Sequence, residues 1–219
     1  MITLYGHAMS RAHRNLWMLR ELGVPFHHEP TDFLRGGNKT PEFLQINPNG
    51  KVPALADDDL IIFESLAINL YLARKFGGSI APQNPTEDAL ALQWTLWVVN
   101  EIEKTLFVAC ENLFFFPPVD RRPEEAKLAL EKIARPFEVM NTHLAEQDYL
   151  IANRFTVADL NAAAVMTLIP IAGVEIGRWP HMSAWLARCL ARPAADDYKI
   201  ISFTVPRPKT EAAWMQSLM

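Results

Sequence analysis

The chain has 219 residues, of which 50% are apolar and 21% are charged, and its formal net charge is −4 at pH 7. Such a composition is that of an ordinary globular protein with enough material to bury a large core. A net-acidic chain lacks the basic character of a nucleic-acid-binding protein, and no run approaches the roughly 18 apolar residues that a membrane span needs.

The cysteines and the N-terminus favour a cytoplasmic protein. Cys110 and Cys189 lie far apart, outside any metal-binding or CxxC spacing, so the sequence indicates neither a metal site nor a dithiol. The segment from position 2 reads directly as a strand, with no basic and apolar leader before it, and we expect no signal peptide. A reducing cytoplasm is the simplest location for such a chain.

Residues 1–77 predict a mixed α/β domain. A short strand at 2–5 is followed by a helix whose apolar spacing begins near Arg11 and stops at Gly23, and by a second strand at 25–29. Strand, helix and strand in this order form a parallel unit. Thr40 and Pro41 suit the start of a short helix, and a hairpin and another helix follow. The expected order is therefore βαβ-αββα.

The densest signals lie between Asn47 and Ser65. The segment Asn47-Pro48-Asn49-Gly50 predicts a turn, because Gly50 permits positive φ and Pro48 fixes φ. Two short apolar runs, at 54–56 and 60–63, flank an Asp-rich turn and predict a β-hairpin.

The residues that flank this hairpin carry groups suited to an amino-acid main chain. Pro53 cannot donate to a strand ladder and belongs at a strand start, which leaves the N–H and C=O of Val52 free for an extended peptide. Ser65 is expected to cap the next helix, whose N-terminus attracts carboxylates. Glu64 adds a negative charge suited to an amino group. A plain hairpin with a capped helix is the alternative.

From residue 87 onward the pattern is helical. The Gly- and Pro-rich stretch 78–86 reads as a linker to an all-helical domain at 87–219. One long amphipathic helix is expected to run from Glu87 to the prolines at 117–118, and a second, at 123–146, should be kinked or divided by Pro136. Thr156 and Asp159 form a capping box for a buried helix at 157–168.

Together these motifs resemble the cytosolic glutathione transferase family. The run NP-x-G-x-VP-x-L, the hairpin and the ES pair match its N-terminal domain, and FT-x-ADL at 155–160 matches its C-terminal domain. The resemblance extends from Leu4 to about Pro193. It implies a thioredoxin-like N-terminal domain, an all-α C-terminal domain, glutathione as co-substrate without a further cofactor, a role in detoxification, and a homodimer.

The resemblance also implies which residues hold glutathione. Pro53 would follow a cis peptide bond, Val52 would pair with the glutathione backbone, and Glu64 and Ser65 would hold the γ-glutamyl end. Before the short helix, the basic residue that meets the glycyl carboxylate in this family is matched by Lys39, with Asn38 as a weaker candidate. Lys51 stands where relatives carry Gln or Lys. A solvated surface position is the ordinary alternative for both lysines.

Ser10 is the expected donor to the glutathione sulfur. The thiol has a pKa of about 8.5 and is mostly protonated at neutral pH, so the enzyme must favour the thiolate. Leu4-Tyr5-Gly6, three intervening residues and then Ser10 are similar to the pattern of the serine-type, phi- or theta-like members of the family, of a bacterial type. Ser10 as a mere helix cap is the first alternative. Tyr5 is the second, because other classes use a tyrosine at the end of the first strand.

The second substrate is expected to be a small apolar electrophile, bound between the two domains near Met9 and the segment 107–116. Conjugation of glutathione to that electrophile is the predicted reaction. Two other functions remain open, a glutathione-dependent thiol–disulfide oxidoreductase or peroxidase, and a non-catalytic ligand-binding or interaction protein of the same fold. The first of these would favour a cysteine near position 10, where the chain has Ser10.

Overall fold

The computed structural model describes residues 1–196, and the last part of the predicted helical domain, 197–219, lies outside the described residues. The first unit is a four-stranded mixed sheet in the order β2-β1-β3-β4 with three α-helices. Its elements are β1 Ile2–Tyr5, α1 His13–Leu22, β2 His27–Glu29, α2 Pro41–Ile46, β3 Ala54–Asp57, β4 Leu60–Phe63 and α3 Ser65–Phe76. This order confirms the predicted βαβ-αββα arrangement.

The alternation of buried and partly exposed residues along β1 explains how the sheet packs on the core. Ile2 and Leu4 of β1 are buried while Thr3 and Tyr5 are partly exposed, so one face of the strand packs on the core. β2 runs parallel to β1, as expected of a strand that returns after a helix, and β3 and β4 pair antiparallel as the predicted hairpin. The helix α1 ends at Gly23, which takes φ 63° in the left-handed region.

Helices make up the rest of the described chain, as the sequence predicts. They are α4 Pro85–Trp97, α5 Lys104–Cys110, α6 Pro123–Lys132, α7 Ala134–His143, α8 Val157–Met166, α9 Ile169–Ala172 and α10 Pro180–Leu190. Within residues 1–196 no helix combines the length and apolar character needed to cross a bilayer. The exact boundary between the two domains, placed at 78–86 from the sequence, stays a prediction.

The predicted long helix from Glu87 to the prolines at 117–118 is confirmed as a helical path that runs from Pro85 to Phe115. It is not α-helical throughout, because π-helical turns at Val98–Glu103 and Glu111–Phe115 lie on both sides of α5. In a π-turn each N–H bonds five residues back, as the N–H of Lys104 does to the carbonyl of Val99. Glu103, the last residue of the first π-helical segment, is buried.

Two predicted local features of the helical domain are confirmed. The segment 123–146 divides at Ile133 into α6 and α7, because Pro136 has no N–H for the carbonyl four residues earlier. The capping box begins α8, with the N–H of Thr156 2.9 Å from Oδ2 of Asp159. The other oxygen of Asp159 accepts from Trp185 Nε1 at 2.9 Å, so the cap also ties α8 to α10.

Polar side chains cross the contact between α1 and α8. His13 is buried, with Nδ1 2.8 Å from the carbonyl of Ser10 and Nε2 3.3 Å from the carbonyl of Ala164. The Thr167 hydroxyl lies 3.4 Å from the same Nε2. Burial, assisted by the neighbouring Arg14, lowers the pKa of His13 from 6.5 to about 4. His13 is therefore neutral where it joins the two halves of the chain.

This buried histidine should make the fold sensitive to mild acid. Between pH 6.5 and 4 the unfolded chain binds a proton that folded His13 does not, so stability falls as the pH falls through that window. The expected loss is about 3 kcal/mol. Urea unfolding of the wild type and of His13→Gln at several pH values should show that the variant loses this component. His181→Gln, which changes an exposed histidine, should keep it, and an unchanged pH dependence in His13→Gln would contradict the prediction.

Candidate functional site

The sheet topology brings three loops to one end of the sheet. In the antiparallel pair of β1 and β3, Tyr5 lies opposite Ala54, so the chain leaving β1 is beside the chain entering β3. In the pair of β3 and β4, Ala54 also lies opposite Phe63, so the chain leaving β4 is at the same end. The segments that carry Ser10, Val52-Pro53 and Glu64-Ser65 therefore converge, although they are far apart in sequence.

Gly6 shows how closely two of these segments approach. A Cβ atom on this residue would lie 2.8 Å from Cβ of Ala12 and 3.4 Å from Cβ of Val52. Its φ of 145° is also one that L-residues rarely adopt. Only glycine at this position lets the turn that carries Ser10 lie against the Val52-Pro53 segment.

The Val52–Pro53 peptide bond is cis. No residue of the described chain hydrogen-bonds to the main-chain N–H or C=O of Val52, which is partly exposed. The preceding loop is held by the side chain of Asn47, whose Nδ2 donates to the carbonyl of Lys51 at 2.7 Å. Val52 therefore presents an unpaired backbone to solvent on a fixed loop.

The basic residues of the predicted site lie beside this loop. The Lys39 amine and the Asn38 amide each donate to the carbonyl of Gly50 at 2.7 Å. Gly50 has φ 56°, and a Cβ there would lie 2.7 Å from the Lys39 amine. The side chain of Lys51 is exposed. Two lysines thus lie on or beside the loop that precedes Val52.

The prediction that Ser65 caps α3 is wrong. Glu64 occupies the cap position, because its carbonyl accepts from the N–H of Ile68 at 2.9 Å, and Ser65 is the first helical residue. Glu64 takes φ 72°, a strained conformation for a residue with a side chain, and such strain clusters at functional sites. Ser65 is buried, and its Oγ accepts from Nη1 of Arg14 at 3.3 Å.

Ser10 lies in the turn before α1 rather than at its cap. Its hydroxyl donates to the carbonyl of His7 at 2.6 Å and accepts from the N–H of Ala12 at 3.2 Å. The residue is partly exposed, so rotation of the hydroxyl can redirect its proton to a bound group. Tyr5 instead packs edge-on against Phe43 of α2, with the ring centroids 6.4 Å apart. The Ser10 hydroxyl therefore lies in the turn before α1, whereas the Tyr5 ring packs against α2.

Sequence reasoning missed three charged residues at the domain contact. Glu103 of the helical domain accepts from Arg11 Nε at 2.5 Å and from Arg14 Nη2 at 2.8 Å through Oε1, and from Arg14 Nη1 at 3.2 Å through Oε2. Burial would raise the pKa of Glu103, but the two guanidinium groups outweigh it and lower this pKa to about 2. The sequence signal was the charged residue Arg14 in a part of α1 whose neighbouring residues are buried. Its partner Glu103 is 89 residues away, so no local pattern indicates the pairing.

An aromatic surface lies next to Ser10 on the helical domain. The Arg11 guanidinium stands 4.6 Å above the ring of Phe107, which is 5.7 Å from the ring of Phe115. Met9 and Phe116 are exposed. These residues include the ones that the sequence suggested for an apolar second substrate.

Comparison with protein-family models matches both halves of the chain. Residues 1–74 match the glutathione S-transferase N-terminal domain, and residues 101–193 match the glutathione S-transferase C-terminal domain.

Individual relatives match over nearly their whole length. Glutathione S-transferase 3 of Zea mays is 33% identical over 224 residues, covering 97% of this chain and 99% of its own. The theta-class glutathione S-transferase of Xanthomonas axonopodis pv. citri, solved with glutathione bound, has TM-score 0.83 and 30% identity, covering 93% of this chain and 98% of its own. Glutathione transferase F7 of Populus trichocarpa has TM-score 0.81 and 29% identity, covering 92% of this chain and 99% of its own.

Proposed function

The chain belongs to the glutathione S-transferase family, and we propose that it conjugates glutathione to small apolar electrophiles as a cytoplasmic, serine-type enzyme. The observation that carries this proposal is the convergence, at one end of the sheet, of the segments that carry Ser10, Val52-Pro53 and Glu64-Ser65. It remains a prediction that the sequence is of a bacterial type and that the reaction requires no further cofactor.

The charges at this end of the sheet suit the tripeptide. Glutathione carries an amino group and a carboxylate at its γ-glutamyl end and a second carboxylate at its glycyl end. Glu64 can receive the amino group, while Lys39 and Lys51 lie beside the loop where the glycyl carboxylate would bind. The unpaired backbone of Val52 can pair with the middle of the peptide as an added strand does.

Ser10 is the group that we assign to the sulfur. A hydroxyl that donates to the thiolate lowers the thiol pKa, and each pKa unit corresponds to about 1.4 kcal/mol. Its place in the turn between β1 and α1 supports this role, whereas Tyr5 is the last residue of β1 and its ring packs against Phe43. Binding of glutathione requires the Ser10 proton to leave the His7 carbonyl for the sulfur.

Ser10→Ala should raise the pKa of bound glutathione and reduce conjugation to a chloronitrobenzene by roughly ten- to a thousand-fold, the scale of one lost anion-stabilising donor. Tyr5→Phe is the matched control and should change the rate little. A pH–rate profile for each variant gives the thiol pKa. The reverse order would transfer the role to Tyr5, and a wild type without conjugation activity would contradict the proposed function itself.

The burial and the raised pKa values of the two cysteines argue against thiol–disulfide chemistry. Both are buried, and burial raises the pKa of the Cys110 thiol to about 12, with a further contribution from Glu111. Burial likewise raises the pKa of Cys189. Reactive cysteines are partly exposed and have lowered pKa values, so neither residue suits an oxidoreductase.

The electrophile is assigned to the aromatic surface beside Ser10. Phe107 and Phe115 offer apolar contact, and Arg11 adds a positive charge at its edge. An electrophile bound there would lie between the two domains, where such pockets commonly form.

Glu64→Gln and Ser65→Ala should raise the KM for glutathione more than they lower kcat, because both residues are assigned to the γ-glutamyl end, away from the sulfur. Steady-state kinetics over a range of glutathione concentrations at saturating electrophile separates the two parameters. An unchanged KM in folded variants would remove these residues from the site.

A homodimer is supported by exposed apolar side chains. β4 is an edge strand of the sheet, and its Leu60, Ile61 and Phe63 are exposed. Leu92 and Leu96 of α4 are exposed as well. An uncovered apolar edge strand promotes association, so we assign these residues to contacts with a second copy of the chain.

Light scattering at micromolar concentration should give twice the mass of the chain, and Leu96→Glu should shift it towards the monomer. Leu128→Glu is the matched control, since Leu128 of α6 is 54% exposed and Leu96 is 55% exposed. A monomeric wild type would contradict the proposed dimer.

A further inference from the structure

His7 closes the turn that leads from β1 to α1. Its ring Nδ1 accepts from the main-chain N–H of Met9 at 3.1 Å. Its main-chain carbonyl accepts from the N–H of Ser10 at 2.9 Å and from the Ser10 hydroxyl at 2.6 Å. The side chain and the backbone of one residue therefore hold the segment that carries Ser10.

Two contacts fix the His7 ring at this turn. A ring nitrogen that accepts from a main-chain N–H carries no proton, so the bond from Met9 selects the tautomer with its proton on Nε2. The ring also packs edge-on against Phe33, with the ring centroids 6.5 Å apart. The hydrogen bond and the ring contact together limit rotation of the His7 side chain.

The bond between His7 and Met9 becomes more important once glutathione binds. In the proposed reaction the Ser10 proton leaves the His7 carbonyl for the sulfur, so the Ser10 hydroxyl no longer closes the turn. The N–H groups of Met9 and Ser10 then remain as the links of this turn to His7. Of these two links, the one from Met9 is the one that depends on the identity of residue 7.

We propose that His7 is a positioning residue for the conjugation reaction, whose ring Nδ1 holds the turn in the shape that directs the Ser10 hydroxyl to the glutathione sulfur. The inference rests on the proposed function, because it assumes that Ser10 donates to the thiolate. A donor stabilises an anion best when it is already oriented before the charge forms, and the bond from Met9 supplies that order. His7 acts through Ser10 and is assigned no contact with the sulfur.

Two substitutions separate the acceptor of His7 from its ring. In asparagine the side-chain oxygen is attached to Cγ, as Nδ1 is in histidine, and this oxygen commonly accepts from the N–H two residues further on. His7→Asn therefore keeps an acceptor for Met9 and loses the ring contact with Phe33. His7→Phe keeps a ring beside Phe33 and loses the acceptor.

His7→Phe should lower the rate of conjugation to a chloronitrobenzene by about fivefold at pH values below the pKa of bound glutathione, the scale of one neutral hydrogen bond. The thiol pKa from the pH–rate profile should rise by about 0.7 units, which is the same fold-change. Above that pKa the rate should approach the wild-type value, because the thiolate then forms without help from Ser10. His7→Asn should keep a profile close to that of the wild type. His27→Phe, which changes an exposed histidine of β2, is the matched control and should leave the profile unchanged.

A Ser10→Ala background shows whether His7 acts through the hydroxyl. Adding His7→Phe to Ser10→Ala should change neither the rate nor the thiol pKa further, since the hydroxyl that His7 positions is already absent.

Three results would overturn the inference alone. They are a wild-type pH–rate profile in His7→Phe, an equal loss of rate in His7→Asn and His7→Phe, and a further fivefold loss when His7→Phe is added to Ser10→Ala. A wild-type protein without conjugation activity would instead overturn the proposed function, and a Ser10→Ala variant with the wild-type profile would overturn the assignment of Ser10. The inference about His7 would fall with either of them.

Discussion

The antiparallel pairing of β1, β3 and β4 is the constraint on which the site depends. Because a strand and its antiparallel neighbour begin and end at opposite ends, the residue after β1, the residue before β3 and the residue after β4 all lie at one end of the sheet. Gly6 lets the backbones approach closely at this end. The site is therefore a property of the strand register, and its residues come from loops that the sheet holds rigidly.

Buried polar side chains cross the contact between the two halves of the chain. Besides the pair of Arg14 and Glu103, Asn69 donates to Asn161 at 2.9 Å, and Asn161 donates to Thr95 at 3.1 Å. Buried ion pairs contribute little net stability, since desolvation offsets much of the attraction, but they penalise any arrangement that leaves a partner unpaired. Such a network favours one relative orientation of α1, α3 and α8, and with it one geometry of the residues next to Ser10 and Ser65.

Local sequence patterns predicted much of the architecture. The alternation in β1, the hairpin around the Asp-rich turn, the division of a helix by Pro136 and the capping box at Thr156 all follow from interactions within a few residues. The membership of the glutathione S-transferase family was visible in the same motifs. Turn residues, caps and prolines act on their own neighbourhood, and this is why a single sequence is enough to recognise them.

The hydrogen-bond partners of the buried polar groups at the site depend on contacts between residues that are far apart in sequence. Ser65 has the residue type of a helix cap, but Glu64 takes that position, and the hydroxyl of Ser65 meets Arg14, which is 51 residues away. The π-helical turn that ends at Glu103 was not predicted from the sequence, because apolar residues spaced by three and four are compatible with an uninterrupted α-helix as well. Local patterns were enough to predict the strands, most of the helices and the family. The pairing of Arg14 with Glu103 depends on the packing of two domains, and no local pattern encodes a contact between residues so far apart.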